Sequence, residues 1–166
     1  MNNIYIIGFM GSGKSTLTLN IKKTTDKKAL STDTLIEEKA GISISNIFSK
    51  YGEDYFRKLE QEVLDKVSKS DNLIVDCGGG IPLCKENAEL IKRSGKVIYL
   101  KASAPVIFNR LKNDNLRPLL QNKKSISEIS DMLSQRELYY EKIADVTIDT
   151  DGLTPKEILE KTIPFL

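Results

Sequence analysis

The chain has no histidine and no tryptophan, and only two cysteines, Cys77 and Cys84, among its 166 residues. Without imidazole, proton transfer and metal binding fall to carboxylates, lysines, hydroxyls and the backbone. Two cysteines with no histidine partner form neither a disulfide framework nor a zinc site. Long apolar runs are also missing: Ile4 to Ile7 is far short of the roughly 20 residues of a membrane span, and no basic flank marks a signal peptide. No block of five like charges occurs. The 25 Lys and Arg against 23 Asp and Glu leave a net charge of +2, which argues for neither nucleic acid nor membrane as a partner. No linker rich in Gly, Pro or Ser and no internal repeat divides the chain.

What is present fits one cytoplasmic globular domain over residues 1–166. Apolar residues make up 40% and charged residues 29%, too apolar for disorder. A chain of this length buries roughly 70% of its unfolded surface. With no apolar stripe to spare, a monomer is the simplest expectation.

Strand signals and helix signals alternate. Asn3 to Ile7 is a β-branched and aromatic run ending at Gly8, and similar runs recur at Leu73 to Asp76, Lys96 to Leu100 and Ala144 to Ile148, with a weaker one at Lys28 to Leu30. Helical patterns fall between them at Gly13 to Lys23, Thr34 to Ala40, Gly52 to Ser68, Lys85 to Ser94, Ala104 to Lys112, Ser125 to Lys142 and Pro155 to Thr162. Alternation of this kind predicts an α/β fold with a five-stranded parallel sheet covered by helices on both faces. The stretch from Asn113 to Lys124, NDNLRPLLQNKK, fits neither pattern and reads as a lid over a site, or as a plain surface connection.

The sharpest motif is Gly8-Phe9-Met10-Gly11-Ser12-Gly13-Lys14-Ser15, followed by Thr16, which matches G-x-x-x-x-G-K-[ST]. Glycines let successive N–H groups point inward around a phosphate, and the next helix adds the positive end of its dipole. Lys14 would reach the outer phosphates and the Ser15 hydroxyl would ligate Mg²⁺. At this chain's composition a chance match has a probability of about 1%, before counting the strand ahead and the helix behind.

Other residues gather around this loop in sequence logic. Asp33 follows the second strand, at the sheet edge where open α/β folds bind ligands. It would take a proton from a substrate hydroxyl, or else serve only the cap of the next helix, where Thr34 and Glu37 fit a capping box. Asp76 ends the third strand, where P-loop proteins place a metal-linked carboxylate, and Gly78, Gly79 and Gly80 let a substrate approach the backbone. Arginine is scarce at five residues against 20 lysines, so Arg57, Arg93, Arg110, Arg117 and Arg136 each invite a reason. A guanidinium grips a carboxylate or phosphate through two parallel hydrogen bonds, which an ammonium cannot do.

The order GFMGSGKST, STDTLIEEKAG, ISNIFSKYGEDYFRKLE, a glycine triplet, RPLL and R-x-x-Y-Y resembles the shikimate kinase family over nearly the full chain. The resemblance implies a three-layer nucleoside-monophosphate-kinase-like fold with sheet order 2-3-1-4-5 and a mobile lid at about 113–125. It implies ATP phosphorylating the 3-hydroxyl of shikimate with Mg²⁺, in aromatic amino acid biosynthesis. Gly11, Ser12, Gly13, Lys14, Ser15 and Thr16 match the family's ATP-binding loop. Arg110 matches a residue stacking near adenine, and Arg117 the lid arginine reaching the phosphates. In a substrate region over about 33–62, Asp33 matches the acid on the shikimate hydroxyls, Phe48 and Phe56 match apolar walls, and Glu60 matches the acid that orients Arg57. Arg57 and Arg136 match the pair holding the carboxylate, with Gly78, Gly79 and Gly80 lining the same pocket. Lys14, Asp33 and Arg117 are thereby the catalytic set.

One departure stands out. Most family members carry Asp two residues before the substrate acid, and this chain has Ser31. At the head of the glycine segment, where members usually carry Ser or Ala, it has Asp76. The two positions are therefore expected to face each other beside the metal, the carboxylate having moved from the second strand to the third. Two other readings stay open from the residues: a P-loop paralogue that binds ATP without transferring phosphate, and a related small-molecule kinase such as gluconate kinase.

Overall fold

A computed structural model describes residues 2–112 and 125–166. Five strands, β1 (Asn3–Ile7), β2 (Lys28–Ser31), β3 (Leu73–Asp76), β4 (Gly95–Lys101) and β5 (Val146–Asp149), form one parallel sheet in the order β2-β3-β1-β4-β5. The helices are α1 (Lys14–Thr24), α2 (Thr32–Ala40), α3 (Ile44–Ser68), α4 (Lys85–Ser94), α5 (Ala104–Lys112), α6 (Ile126–Ile143) and α7 (Pro155–Thr162). This is the expected α/β architecture, with the expected strand order.

The central strand explains the layering. Every residue of β1 is buried, because both sides of the sheet are covered. Tyr5 and Ile7 point into a core shared with Val63 and Leu64 of α3, Ile91 of α4 and Tyr140 of α6. Ile4 and Ile6 point the other way, into a smaller core with Leu17 and Ile21 of α1 and Ile158 of α7. Full burial of each such side chain contributes about 1.5–3 kcal/mol. No helix among the described residues is long and apolar enough to cross a membrane.

The residues from 41 to 52 depart from the sequence reading. The helical pattern expected from Gly52 begins eight positions earlier, at Ile44, with Ser43 capping it through a hydrogen bond from the Asn46 amide. Gly52 is not a start but a break inside α3, at φ 78° and ψ 178°, which only glycine adopts freely. The capping box anticipated for α2 is also corrected. Ser31 is the cap, its hydroxyl accepting from the Thr34 amide, while Glu37 turns outward and accepts the Ile44 amide at 2.9 Å. The chain enters α2 two residues earlier than the pattern suggested, so Glu37 is too far along to bridge back.

Candidate active site

The loop between β1 and α1 is built by backbone conformations that suit glycine. Gly11 and Gly13 sit at φ 76° and 101°, and Gly13 caps α1 without any side-chain hydrogen bond. No acidic residue lies in the first turn of α1, which leaves the positive helix end for an anion. Lys14 opens the helix, and its Nζ donates to the Phe9 carbonyl at 3.1 Å. Ser15 and Thr16 are exposed at the same end. From α5, Arg110 reaches over to the loop, donating to the carbonyls of Gly11 and Ser12 at 3.3 and 3.2 Å and to the Thr150 hydroxyl and carbonyl beyond β5 at 3.1 and 3.2 Å.

A cleft of about 340 Å³ opens beside the loop, lined by Gly11, residues 13 to 17 and Arg110, and closed on its far side by Leu111, Leu153, Pro155 and Ile158. The last three were not singled out in the sequence. The signal that could have found them is the Gly152-Leu153-Thr154-Pro155 turn leaving the last strand at the same edge of the sheet.

Ser15 and Asp76 meet directly. The Ser15 hydroxyl donates to Asp76 Oδ2 at 2.5 Å, and in the β2–β3 pairing Asp76 stands opposite Ser31. A hydroxyl and a carboxylate side by side are hard oxygen donors of the kind Mg²⁺ takes, usually with one or two carboxylates and the substrate phosphates. The donor set therefore fits the ion that the loop motif implies.

The glycine turn after β3 organises the opposite side of the site. A side chain at Gly78 would place its Cβ 2.6 Å from Asp33 Oδ1, and one at Gly80 would place it 2.5 Å from Arg57 Nη1. Asp33 and Arg57 thus lie directly over the turn, and the absence of side chains there is what lets them do so. Thr32, which the sequence reading passed over, pins the arrangement: its hydroxyl accepts the Gly78 amide at 2.8 Å. Gly79 is held from a third direction, its carbonyl accepting the Tyr140 hydroxyl at 2.8 Å.

Arg57 is braced by two carboxylates, Nη1 donating to Glu60 at 3.0 Å and Nη2 to Glu53 at 3.0 Å. Its guanidinium also lies 5.3 Å from the centroid of Phe56, whose ring packs 4.7 Å from that of Phe48. Phe56 is buried and Phe48 partly open. Glu60 is 1% exposed, and burial pushes its carboxyl above the usual range while Arg57 pulls it back. Asn87 of α4 supports the same carboxylate at 3.4 Å. Arg136, half-buried on α6, lies 5.5 Å from the centroid of Phe9, so a loop residue not foreseen as functional carries it.

Every sequence-predicted site residue that can be placed therefore converges on the carboxyl edge of the sheet. Arg117 and residues 113–124 of the expected lid lie outside the described residues. Arg93, the fifth arginine, stands away from the site in a groove between α3 and α4 with Glu62, Asp65 and Glu89.

Comparison with known proteins agrees with this geometry. The family model described as shikimate kinase matches residues 10–166. A shikimate kinase of Thermodesulfovibrio yellowstonii is 42% identical over 163 residues, covering 98% of this chain and 94% of the relative. Among solved structures, shikimate kinase from Acinetobacter baumannii in complex with shikimate superposes with a TM-score of 0.90 at 32% identity, covering 98% of this chain and 91% of that one. A gluconokinase from Sinorhizobium meliloti, at TM-score 0.67 and 16% identity over 98% of this chain and 90% of its own, shares the fold alone. Matched by the family model over residues 10–166 and 42% identical to a relative over 98% of its own length, the chain belongs to the shikimate kinase family.

Proposed function

We propose that this site transfers the γ-phosphoryl group of ATP to the 3-hydroxyl of shikimate, giving shikimate 3-phosphate and ADP. The observation that carries the reading is the placing of Asp33 and Arg57 over a side-chain-free turn next to the phosphate loop. One face offers an acceptor for a hydroxyl proton and a fork for a carboxylate, and the other offers a cradle for phosphates. The family makes the chain an ATP-dependent phosphotransferase with an alcohol as acceptor.

The division of labour follows from the chemistry. Phosphoryl transfer has a loose transition state, so positioning and charge neutralisation do most of the work. ATP lies along residues 11–16, with its base toward Leu153 and Ile158 and Arg110 bracing the loop. Arg57 and Arg136 hold the shikimate carboxylate against Phe48 and Phe56, over Gly78, Gly79 and Gly80. Asp33 orients the 3-hydroxyl and accepts its proton as the new oxygen–phosphorus bond forms and the bond to ADP breaks. Lys14 and Arg117 supply positive charge to the transferring group. Ser15 and Asp76 would hold Mg²⁺, which would supply positive charge against the nucleotide phosphates.

The reading extends to one P-loop kinase domain over residues 1–166, working as a cytoplasmic monomer without nucleic acid or membrane. The near-balanced charge supports that setting. The deciding experiment is ADP release by the purified protein with ATP and Mg²⁺, comparing shikimate, gluconate, nucleoside monophosphates and no acceptor. Stimulation by shikimate alone is expected. ATP binding with no acceptor-dependent turnover would instead mark a non-catalytic relative.

A further inference from the structure

Each glycine of the turn after β3 meets a side chain from a different element: Gly78 meets Asp33 of α2, Gly80 meets Arg57 of α3, and Gly79 meets Tyr140 of α6. The first two side chains have roles in the proposed reaction. The third has none so far. Tyr140 is fully buried, and its ring packs against Tyr99 of β4 with centroids 5.1 Å apart, which fixes where its hydroxyl points. That hydroxyl donates to the Gly79 carbonyl at 2.8 Å, and Arg136, one turn earlier on the same helix, lies close enough for its charge to act on the phenol oxygen. Burial raises the hydroxyl's pKa, with Arg136 working against the rise, so it stays a proton donor throughout the neutral range. The loop side closes the same circle. Gly79 lies against the Gly8 carbonyl of the phosphate loop, and Arg136 lies over the ring of Phe9 in that loop.

We infer that Tyr140 is a positioning residue for acceptor binding, setting the Arg136 guanidinium and the glycine turn in one register through a single buried hydroxyl. The inference rests on the assignment of Arg136 to the substrate carboxylate. An arginine on a helix face has many rotamers, and two contacts at fixed positions, an aromatic face and a phenol oxygen, remove most of that freedom before substrate arrives. A tyrosine needed only for packing would present the same ring without making use of the oxygen.

Tyr140→Phe keeps the ring and removes the oxygen, so the stack on Tyr99 and the fold remain. Calorimetric titration of the full chain with shikimate and with MgADP reads the effect. A dissociation constant for shikimate raised about tenfold is expected, the scale of a lost hydrogen bond, with MgADP binding unchanged. The same titration with Arg136→Ala and with the double variant completes the test: if Tyr140 acts through Arg136, adding Tyr140→Phe to Arg136→Ala costs little more. Shikimate affinity within about twofold of the parent in Tyr140→Phe would overturn the inference. So would equal loss of MgADP affinity, or a full additive loss in the double variant. Arg136→Ala with unchanged shikimate affinity would remove Arg136 from the pocket, and this inference with it.

Discussion

Ser31 and Asp76 are neighbours across the β2–β3 pair, and it is Asp76 whose carboxylate receives the Ser15 hydroxyl of the phosphate loop. The position on β2 that usually carries an acid in this family is thus a hydroxyl here, and the acid stands one strand over, in contact with the loop residue expected to ligate Mg²⁺. A carboxylate at either position faces the same volume, because parallel partners at the sheet edge present their side chains side by side. Asp76→Ala should raise the Mg²⁺ concentration needed for half-maximal ADP release by about tenfold or more, as loss of a metal-supporting carboxylate commonly does. The exchange variant Ser31→Asp/Asp76→Ser should recover most of the loss. Calorimetric binding of ADP across a Mg²⁺ series gives the same comparison without turnover, and a Mg²⁺ dependence that ignores Asp76 would remove it from the metal site.

Asp33 is the residue on which proton transfer depends in this reading. Asp33→Asn keeps its shape over Gly78 and removes the acceptor. Turnover should fall by roughly a hundredfold or more while MgADP affinity stays put. Steady-state kinetics with both substrates varied would separate the two effects, and near-normal turnover would remove Asp33 from proton transfer.

Gly78 and Gly80 make a matched pair of probes, since each contacts the movable end of a side chain and not backbone. Gly78→Ala should displace Asp33 and lower kcat, whereas Gly80→Ala should displace Arg57 and raise the shikimate KM, by about tenfold in each case. Thermal unfolding should change little, because a flexible side chain gives way at small cost. Identical kinetic signatures for the two variants would show that the turn acts as one unit.

Arg136→Lys tests the carboxylate fork. An ammonium keeps the charge but loses the paired hydrogen bonds and the flat face stacked on Phe9, so the shikimate KM should rise at least about tenfold with ATP kinetics little changed.

The thiols should differ sharply in reactivity. Cys77 is fully buried at the end of β3, where burial and the adjacent Asp76 push its thiol well above its ordinary value. At pH 7.5 a small alkylating reagent should reach the partly exposed Cys84, slowly since that thiol is also raised, and should label Cys77 only after denaturation. Mass spectrometry of the labelled native protein reads this directly.

Much of this protein is legible in one dimension. The phosphate loop, the strand–helix alternation, the acid just past β2, the acid ending β3 and the five scarce arginines are local patterns, because hydrophobic period, glycine spacing and residue choice are themselves local. The sheet order followed from resemblance, and the sequence reading missed what depends on the third dimension. Ser31 caps α2 in place of the expected Thr34, and α3 runs through a Gly52 break, features that local propensity alone does not reveal. Leu153, Pro155 and Ile158 joined the cleft beside the phosphate loop only because β5 ends at the same edge as that loop. Likewise Phe9 under Arg136 and Tyr140 on Gly79 bring together residues far apart in the chain. Sequence alone determined which chemical groups this protein has and, for most of them, the element on which each one rides. Only the tertiary structure decided which of them touch, since strand register and helix packing set distances that no local pattern contains.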